Sequence, residues 1–198
     1  MKRIFLAICI ITGLISCKQE PATPPTAVLD GMFNAMKDGN IDEMKKYISK
    51  NDLNLLEAAE KIMTSVNPEG VKRIKEKIIE KAKENAKNIT YKFKEPKIDG
   101  DKATVETEIT NNKPDSLGVK KTATHTFELV KEDNAWKIAI TKPGNEMFNS
   151  MKGNMGAGDR DLRDGLEKLK QMNKDSLNVM INTGLQQLDS MDKKKKSQ

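Results

Sequence analysis

The stretch Ile89–Ile140 constrains the fold most, because apolar and polar residues alternate through four successive segments. Alternation places the two sets of side chains on opposite faces of a β-strand. Turn residues such as Asp99–Asp101 and Glu132–Asn134 separate the segments. The pattern predicts a four-stranded antiparallel meander with one buried and one exposed face. The buried set comprises Ile89, Tyr91, Phe93, Ala103, Val105, Thr107, Ile109, Ala123, His125, Phe127, Leu129, Trp136, Ile138 and Ile140.

Helical periodicity precedes this meander. Apolar stripes with capping residues predict four helices, which start near Thr26, Asn40, Asn54 and Asn67, and the last of them runs to about Asn88. Helices followed by a meander with one apolar face predict an α+β domain in which the helices pack on that face.

The first residues have the form of a secretory signal, with a basic start and the apolar run Ile4–Ile15. That run is shorter than the roughly 20 residues that span a bilayer. It ends at Leu14-Ile15-Ser16-Cys17, which resembles a bacterial lipobox. The resemblance implies cleavage before Cys17, a diacylglycerol thioether on its sulfur and a fatty acyl group such as palmitate on its new amino group. The alternative is an ordinary signal peptide with a chance cysteine.

These features predict a signal peptide over 1–16, a lipidated cysteine and tether over 17–25, a domain over 26–141 and a helical extension over 142–198. Membrane lipid is then a partner through acylated Cys17, and the expected location is the bacterial cell envelope. In such lipoproteins, an aspartate directly after the lipidated cysteine favours retention in the inner membrane. This chain has Lys18 at that position, so the expected location is the outer membrane. The sequence does not decide between a domain that faces the periplasm and one that faces the cell surface.

Charge and cysteine content exclude several classes of protein. The chain has 35 Lys+Arg and 29 Asp+Glu. Without Lys2, Arg3 and the run Lys193–Lys196 the two signs balance, so nucleic-acid binding is not expected. The lysine run is interpreted as a solvated chain end, and the alternative is that it is weakly attracted to anionic surfaces. Cys9 is lost with the leader, which leaves no free thiol for disulfides, thiol catalysis or cysteine metal sites.

Three motifs carry a further resemblance: Ala35-Met36-Lys37-Asp38-Gly39-Asn40, Gly100-Asp101-Lys102-Ala103-Thr104-Val105 and the run from Phe127 to Ile138. With them, the segment Pro25–Ile140 resembles the cone-shaped nuclear transport factor 2-like superfamily, in its bacterial lipoprotein branch. The resemblance implies helices on the concave face of a strongly curved sheet, often with a pocket at the open end. It implies no activity, because one scaffold carries enzymes, binding modules and dimerisation domains.

His125 is the single histidine and the first candidate for chemistry. A candidate pocket comprises His125, Tyr91, Phe127 and Trp136. Asp30, Tyr47 or Tyr91 could act with His125, although no spacing brings them together, and a lone histidine on an apolar strand face is more often structural. Met147, Met151 and Met155 could bind Cu(I), but the same spacing forms one stripe of a helix. We therefore expect no metal, no cofactor and no catalytic residue.

The predicted function is a non-catalytic binding or interaction module of the envelope. The alternative is an enzyme, such as a hydrolase, dehydratase or isomerase, or a small-ligand carrier that uses the pocket around His125. Residues 159–191 predict one long helix that docks on the domain or on a protein partner. Its expected apolar stripe comprises Leu162, Leu166, Leu169, Asn173, Leu177, Met180, Gly184, Leu188 and Met191.

Overall fold

The computed structural model describes residues 23–114, 118–141 and 162–196, with side chains as far as Ser190. The predicted leader, Cys17 and the methionine repeat at Met147, Met151 and Met155 lie outside the described residues. The side chains of the lysine run at 193–196 also lie outside them.

Four helices precede the sheet, as predicted, and the described C-terminal part adds two more. Asn40 and Asn67 cap their helices as the sequence predicts, because their Oδ1 atoms accept hydrogen bonds from the backbone N–H groups of Glu43 and Gly70. Gly39 ends α1 with a φ of 70°, a left-handed conformation that glycine adopts readily. The helices are α1 (Pro25–Asp38), α2 (Ile41–Tyr47), α3 (Lys50–Thr64), α4 (Pro68–Lys87), α5 (Leu162–Gln171) and α6 (Lys174–Lys196).

Two predicted helix starts are wrong. Helix α1 begins at Pro25 with Pro24 at the N-cap, so Thr26 is already inside it. Proline suits the first helical position because that position needs no backbone N–H donor. Helix α3 begins at Lys50 rather than near Asn54, because Ser49 Oγ accepts the hydrogen bond from the N–H of Asp52.

The sheet is antiparallel in all its strand pairs, with the order β1-β3-β4-β5. An additional three-residue strand, β2, pairs with β3 on the same edge as β1, so the sheet is four strands wide, as predicted. The sequence predicted only a turn there, because three residues are too few to show alternation. The strands are β1 (Ile89–Phe93), β2 (Lys97–Asp99), β3 (Lys102–Asn111), β4 (Lys121–Glu132) and β5 (Ala135–Ile138).

Helix α1 lies on the inner face of this curled sheet, and α4 packs against α1. The architecture is therefore α+β, as predicted. The tight turn between β4 and β5 has positive φ at Asp133 and Asn134, the conformation of two-residue hairpins that match strand twist. The core between helices and sheet consists of Val28, Leu29, Phe33, Ile48, Ala103, Val105, Ile109, Phe127, Leu129, Trp136, Ile138 and Ile140.

A buried carboxylate fixes the end of the sheet to α3. Asp52 is 1% exposed, and its Oδ1 accepts a hydrogen bond of 2.7 Å from Thr141 Oγ1. The backbone N–H of Ser49 donates to the carbonyl of Ile138, which covers part of the free edge of β5. Most buried polar groups in folded proteins are hydrogen-bonded in this way.

The C-terminal region forms two helices, so the prediction of one continuous helix over 159–191 is wrong. The break lies at Met172 and Asn173, and Asn173 Oδ1 caps α6 by accepting from the N–H of Ser176. Both helices contact α3, and α6 also packs along α4. No helix among the described residues is long and apolar enough to cross a membrane.

Candidate functional site

The inner face of β4 changes from open to closed along the strand. Lys121 and Ala123 are exposed, His125 is half-buried, and Phe127 is 6% exposed. Ala123 pairs with the core residue Ile109, so it lies on the inner face although it is exposed. We call this region, where β4 begins, the open end of the sheet.

Thr107 and His125 lie at the inner limit of the open end. They are directly opposite each other on β3 and β4, and Phe93 of β1 completes their row across the sheet. Thr107 is completely buried. Within the described residues, neither Thr107 Oγ1 nor His125 Nδ1 has a hydrogen-bond partner, although both atoms are shielded from solvent.

Asp30 and Tyr91 form a second polar pair, at the edge of the sheet. Tyr91 Oη donates a hydrogen bond of 2.7 Å to Asp30 Oδ1, and Asn34 Nδ2 donates to the other carboxylate oxygen at 3.1 Å. Burial, followed by the hydrogen bond to Asp30, raises the pKa of Tyr91 to about 12. The ammonium of Lys37 lies 4.9 Å from the centre of the Tyr91 ring. The phenol is therefore protonated and held in place at neutral pH.

The structure does not bring Asp30 or Tyr91 to His125. Strand β3 separates β1 from β4, so about 10 Å lies between the backbones that carry Tyr91 and His125. Tyr47, the other candidate partner, donates a hydrogen bond to Glu43 instead. The pKa of Tyr47 is raised, mainly by burial and then by the hydrogen bond to Glu43. The candidate acid–base groups are thus paired among themselves and away from the histidine.

Aromatic side chains of α1, β1 and β4 pack against one another on the inner face of the sheet. Phe33 of α1 stacks on Tyr91 with 4.5 Å between ring centroids and meets Phe127 edge to face at 5.9 Å. Phe93 lies 6.3 Å from Phe33 and 5.2 Å from Tyr91. Such geometries add to the stability gained from burial alone.

Trp136 does not belong to the open end. It pairs with Lys131, whose ammonium lies 6.0 Å from the Trp136 ring. Six residues of β4, or about 20 Å, separate Lys131 from His125. Of the candidate pocket residues, only Tyr91, His125 and Phe127 therefore lie in neighbouring rows of the inner face.

Concave features lie on the helices. Two depressions of about 260 and 510 Å³ follow α3, and both are lined by Glu60 and Thr64. Lysine and glutamate side chains form much of their walls, and no unpartnered buried polar atom faces them among the described residues. In the same part of the chain, no group of three or more His, Cys, Asp or Glu could hold a metal ion.

Residues 15–139 match the model of a protein family described as Domain of unknown function (DUF4878), over more than half of the chain. The chain belongs to this family. The DUF4878 match contains β1 to β5 and the Thr107–His125 pair, whereas α5 and α6 lie after it. No curated protein matches the chain.

Among solved structures, the chain is similar to a phospholipid-binding protein from Ralstonia solanacearum that was solved in complex with a phospholipid. The two chains are 14% identical, and the alignment covers 79% of the DUF4878 chain and 96% of the other, with a TM-score of 0.35. A likeness this weak says nothing about the ligand of the DUF4878 chain.

Thr107 is the residue of the site that sequence reasoning missed. The alternation placed Thr107 on the inner face of the sheet, where most of the other predicted residues are apolar. The sequence feature that could have identified Thr107 is a polar side chain on a strand face that is predicted to be buried. The pairing with His125 could not be predicted, because the register between β3 and β4 depends on how the loop between them closes.

Proposed function

We propose that this chain is a lipid-anchored, non-catalytic binding module of the bacterial cell envelope. The observation that carries the binding role is the open end, where inner-face residues Lys121 and Ala123 are exposed beside a closed core. Binding sites for small ligands are concave and mostly apolar, with a few polar groups. Phe93, Thr107 and His125 supply that combination of groups.

The non-catalytic role is supported by the pairing of the acid–base groups. General acid–base catalysis needs a proton donor or acceptor within hydrogen-bond reach of the reacting atom, commonly oriented by a second group. Asp30 binds Tyr91, and His125 lies opposite a threonine. An enzyme that uses His125 would have to act without Asp30, the one carboxylate among the candidate partners, because Asp30 accepts a hydrogen bond from Tyr91.

The anchor is supported by the sequence Leu14-Ile15-Ser16-Cys17 after a short apolar leader. A buried methylene contributes about 0.8 kcal/mol, and two or three acyl chains hold a protein stably where a single chain does not. Lys18 supports an outer-membrane location. The order of helices before an antiparallel meander further supports a nuclear transport factor 2-like cone, on which such binding modules are common.

The test of the anchor is membrane fractionation of the Cys17→Ala variant. We expect wild-type protein to sediment with membranes and to resist salt washing, and Cys17→Ala to become soluble. Cys9→Ala is the matched control, because it changes a cysteine inside the leader and should leave the protein on the membrane. An equal membrane fraction for Cys17→Ala and wild type would rule out lipid anchoring through this residue.

A protein partner on the outward face of α6 is a second candidate. Residues 176–188 carry no charge, although 32% of the chain is charged, and Val179 and Met180 are 64% and 37% exposed. Depletion of charge and exposure of methionine are typical of interface cores. Chemical crosslinking in intact cells should yield an adduct for wild type that Val179→Lys loses; an unchanged adduct pattern would reject this face.

A further inference from the structure

The two unpartnered polar atoms of Thr107 and His125 need an explanation. A buried donor or acceptor without a hydrogen bond destabilises the folded protein, and such groups are few in native structures. Here two occur directly opposite each other on adjacent strands. Directly opposed side chains have Cβ atoms about 5 Å apart, so one small group could hydrogen-bond to both.

Their position indicates that the missing partner comes from outside the protein. Thr107 is 0% exposed, but its neighbour His125 is half-buried, and Ala123 beyond it is exposed. The pair therefore lies one residue row from the exposed part of the open end. A molecule that entered over Ala123 would reach His125 first and Thr107 next.

The chemistry of the pair restricts what could bind there. A threonine hydroxyl both donates and accepts, and a neutral imidazole nitrogen without a proton accepts. The rest of the row and its neighbours are apolar: Phe93, Ile109 and Phe127. Charge is costly in such surroundings unless it is paired, and no described carboxylate or cation hydrogen-bonds to either atom.

We propose that Thr107 and His125 bind the hydroxyl group of an uncharged ligand whose apolar body lies over Ala123 in the open end. The ligand hydroxyl donates to His125 Nδ1 and accepts from Thr107 Oγ1. This inference rests on the proposed binding function and adds the chemical class of the ligand.

The probe is benzyl alcohol, added to the full chain in detergent. Because His125 is the only histidine, its imidazole signals in an NMR spectrum report on this site alone. We expect a saturable shift of these signals with benzyl alcohol. Benzoate and benzylammonium have the same ring with a charged head group, and we expect them to bind roughly 10-fold more weakly or worse.

The decisive variant is Thr107→Val, which replaces the hydroxyl with a methyl group of similar shape. We expect the saturable shift with benzyl alcohol to disappear and the melting temperature to stay the same or rise, because an unpartnered buried hydroxyl is removed. Thr104→Val is the matched control: it lies on the same strand with its side chain on the opposite face, and it should retain binding.

Three results would overturn this assignment. The first is the absence of a saturable shift with benzyl alcohol, and the second is binding of benzoate as tight as that of benzyl alcohol. The third is a Thr107→Val variant that still binds benzyl alcohol or has a lower melting temperature than wild type. A lower melting temperature would mean that the hydroxyl is already satisfied, as by a buried water. Retained binding in Thr107→Val would leave the binding module intact and reject only this pair.

Discussion

The hydrogen bond between Asp30 and Tyr91 shows how single residues fix α1 on the sheet. It joins α1 to β1 across 61 positions of sequence, and the Phe33 ring stacks beside it. Sequence reasoning identified both residues as candidate partners of His125 by chemical type. Which of them pair with each other depends on how α1 crosses the sheet, and local patterns do not contain that information.

This pair predicts a particular alkaline titration. With its pKa raised to about 12, Tyr91 should ionise well after an ordinary tyrosine, for which the pKa is about 10. Asp30→Asn should lower the pKa of Tyr91 but leave it above 10, because burial is the larger cause. The measurement is phenolate absorbance against pH, and Tyr91→Phe is the control that leaves only Tyr47 to titrate.

The same shift affects stability at high pH. The folded-state pKa lies above the unfolded value, so the folded protein binds more protons between about pH 10 and 12. The contribution is fully present below about pH 10 and is lost as the pH rises toward 12. Ionisation of Tyr91 near pH 10 in wild type, or no change on Asp30→Asn, would contradict this description of the pair.

Helix α6 is the element for which sequence periodicity was only partly correct. Leu177 of the predicted stripe is buried, as is Leu166 in α5, but in α6 Ile181 and Leu185 are buried in place of Met180, which is 37% exposed. The stripe assumed one continuous helix. Asn173 caps α6 and so begins a second helix, whose buried side contains Leu177, Ile181 and Leu185.

Close packing against α4 explains why α6 lies where it does. A Cβ atom on Gly70 would lie 2.7 Å from Ile181 Cγ2 and 2.8 Å from Asn67 Oδ1, so glycine allows both approaches. Asn67 and Asn178 share a hydrogen bond of 2.8 Å near the start of the contact, and Lys77 pairs with Asp189 farther along. The two helices therefore run in the same direction, and α4 lies between α1 and α6.

Gly70→Ala should loosen α6 by forcing Ile181 away from α4, at a cost of about 1–3 kcal/mol. Gly184→Ala is the matched control on the facing helix, where a Cβ would lie 3.7 Å from Ile74 in ordinary contact. It should be neutral or stabilise by up to about 1 kcal/mol. The measurement is hydrogen exchange of α6 amides; equal protection in both variants would show that the contact at Gly70 is not limiting.

At the scale of the whole molecule, the fold class was predictable and the open end was not. Alternation from Ile89 to Ile140 predicted the inner and outer faces, since burial of one face follows directly from a period of two residues. The same alternation predicts that both Ala123 and Leu129 lie on the inner face and are buried. Tertiary packing distinguishes them, because Leu129 is 1% exposed whereas Ala123 is exposed.

The central claim is that the open end binds a small molecule, and plugging it is the most direct test. Ala123→Trp places a large side chain on the inner face at the entrance, whereas Thr124→Trp places the same side chain on the outer face of β4. Native mass spectrometry of the full chain purified from the cell envelope should detect a bound small molecule in wild type and Thr124→Trp, and none in Ala123→Trp. Equal occupancy of Ala123→Trp and wild type, or no bound molecule in wild type, would contradict the account.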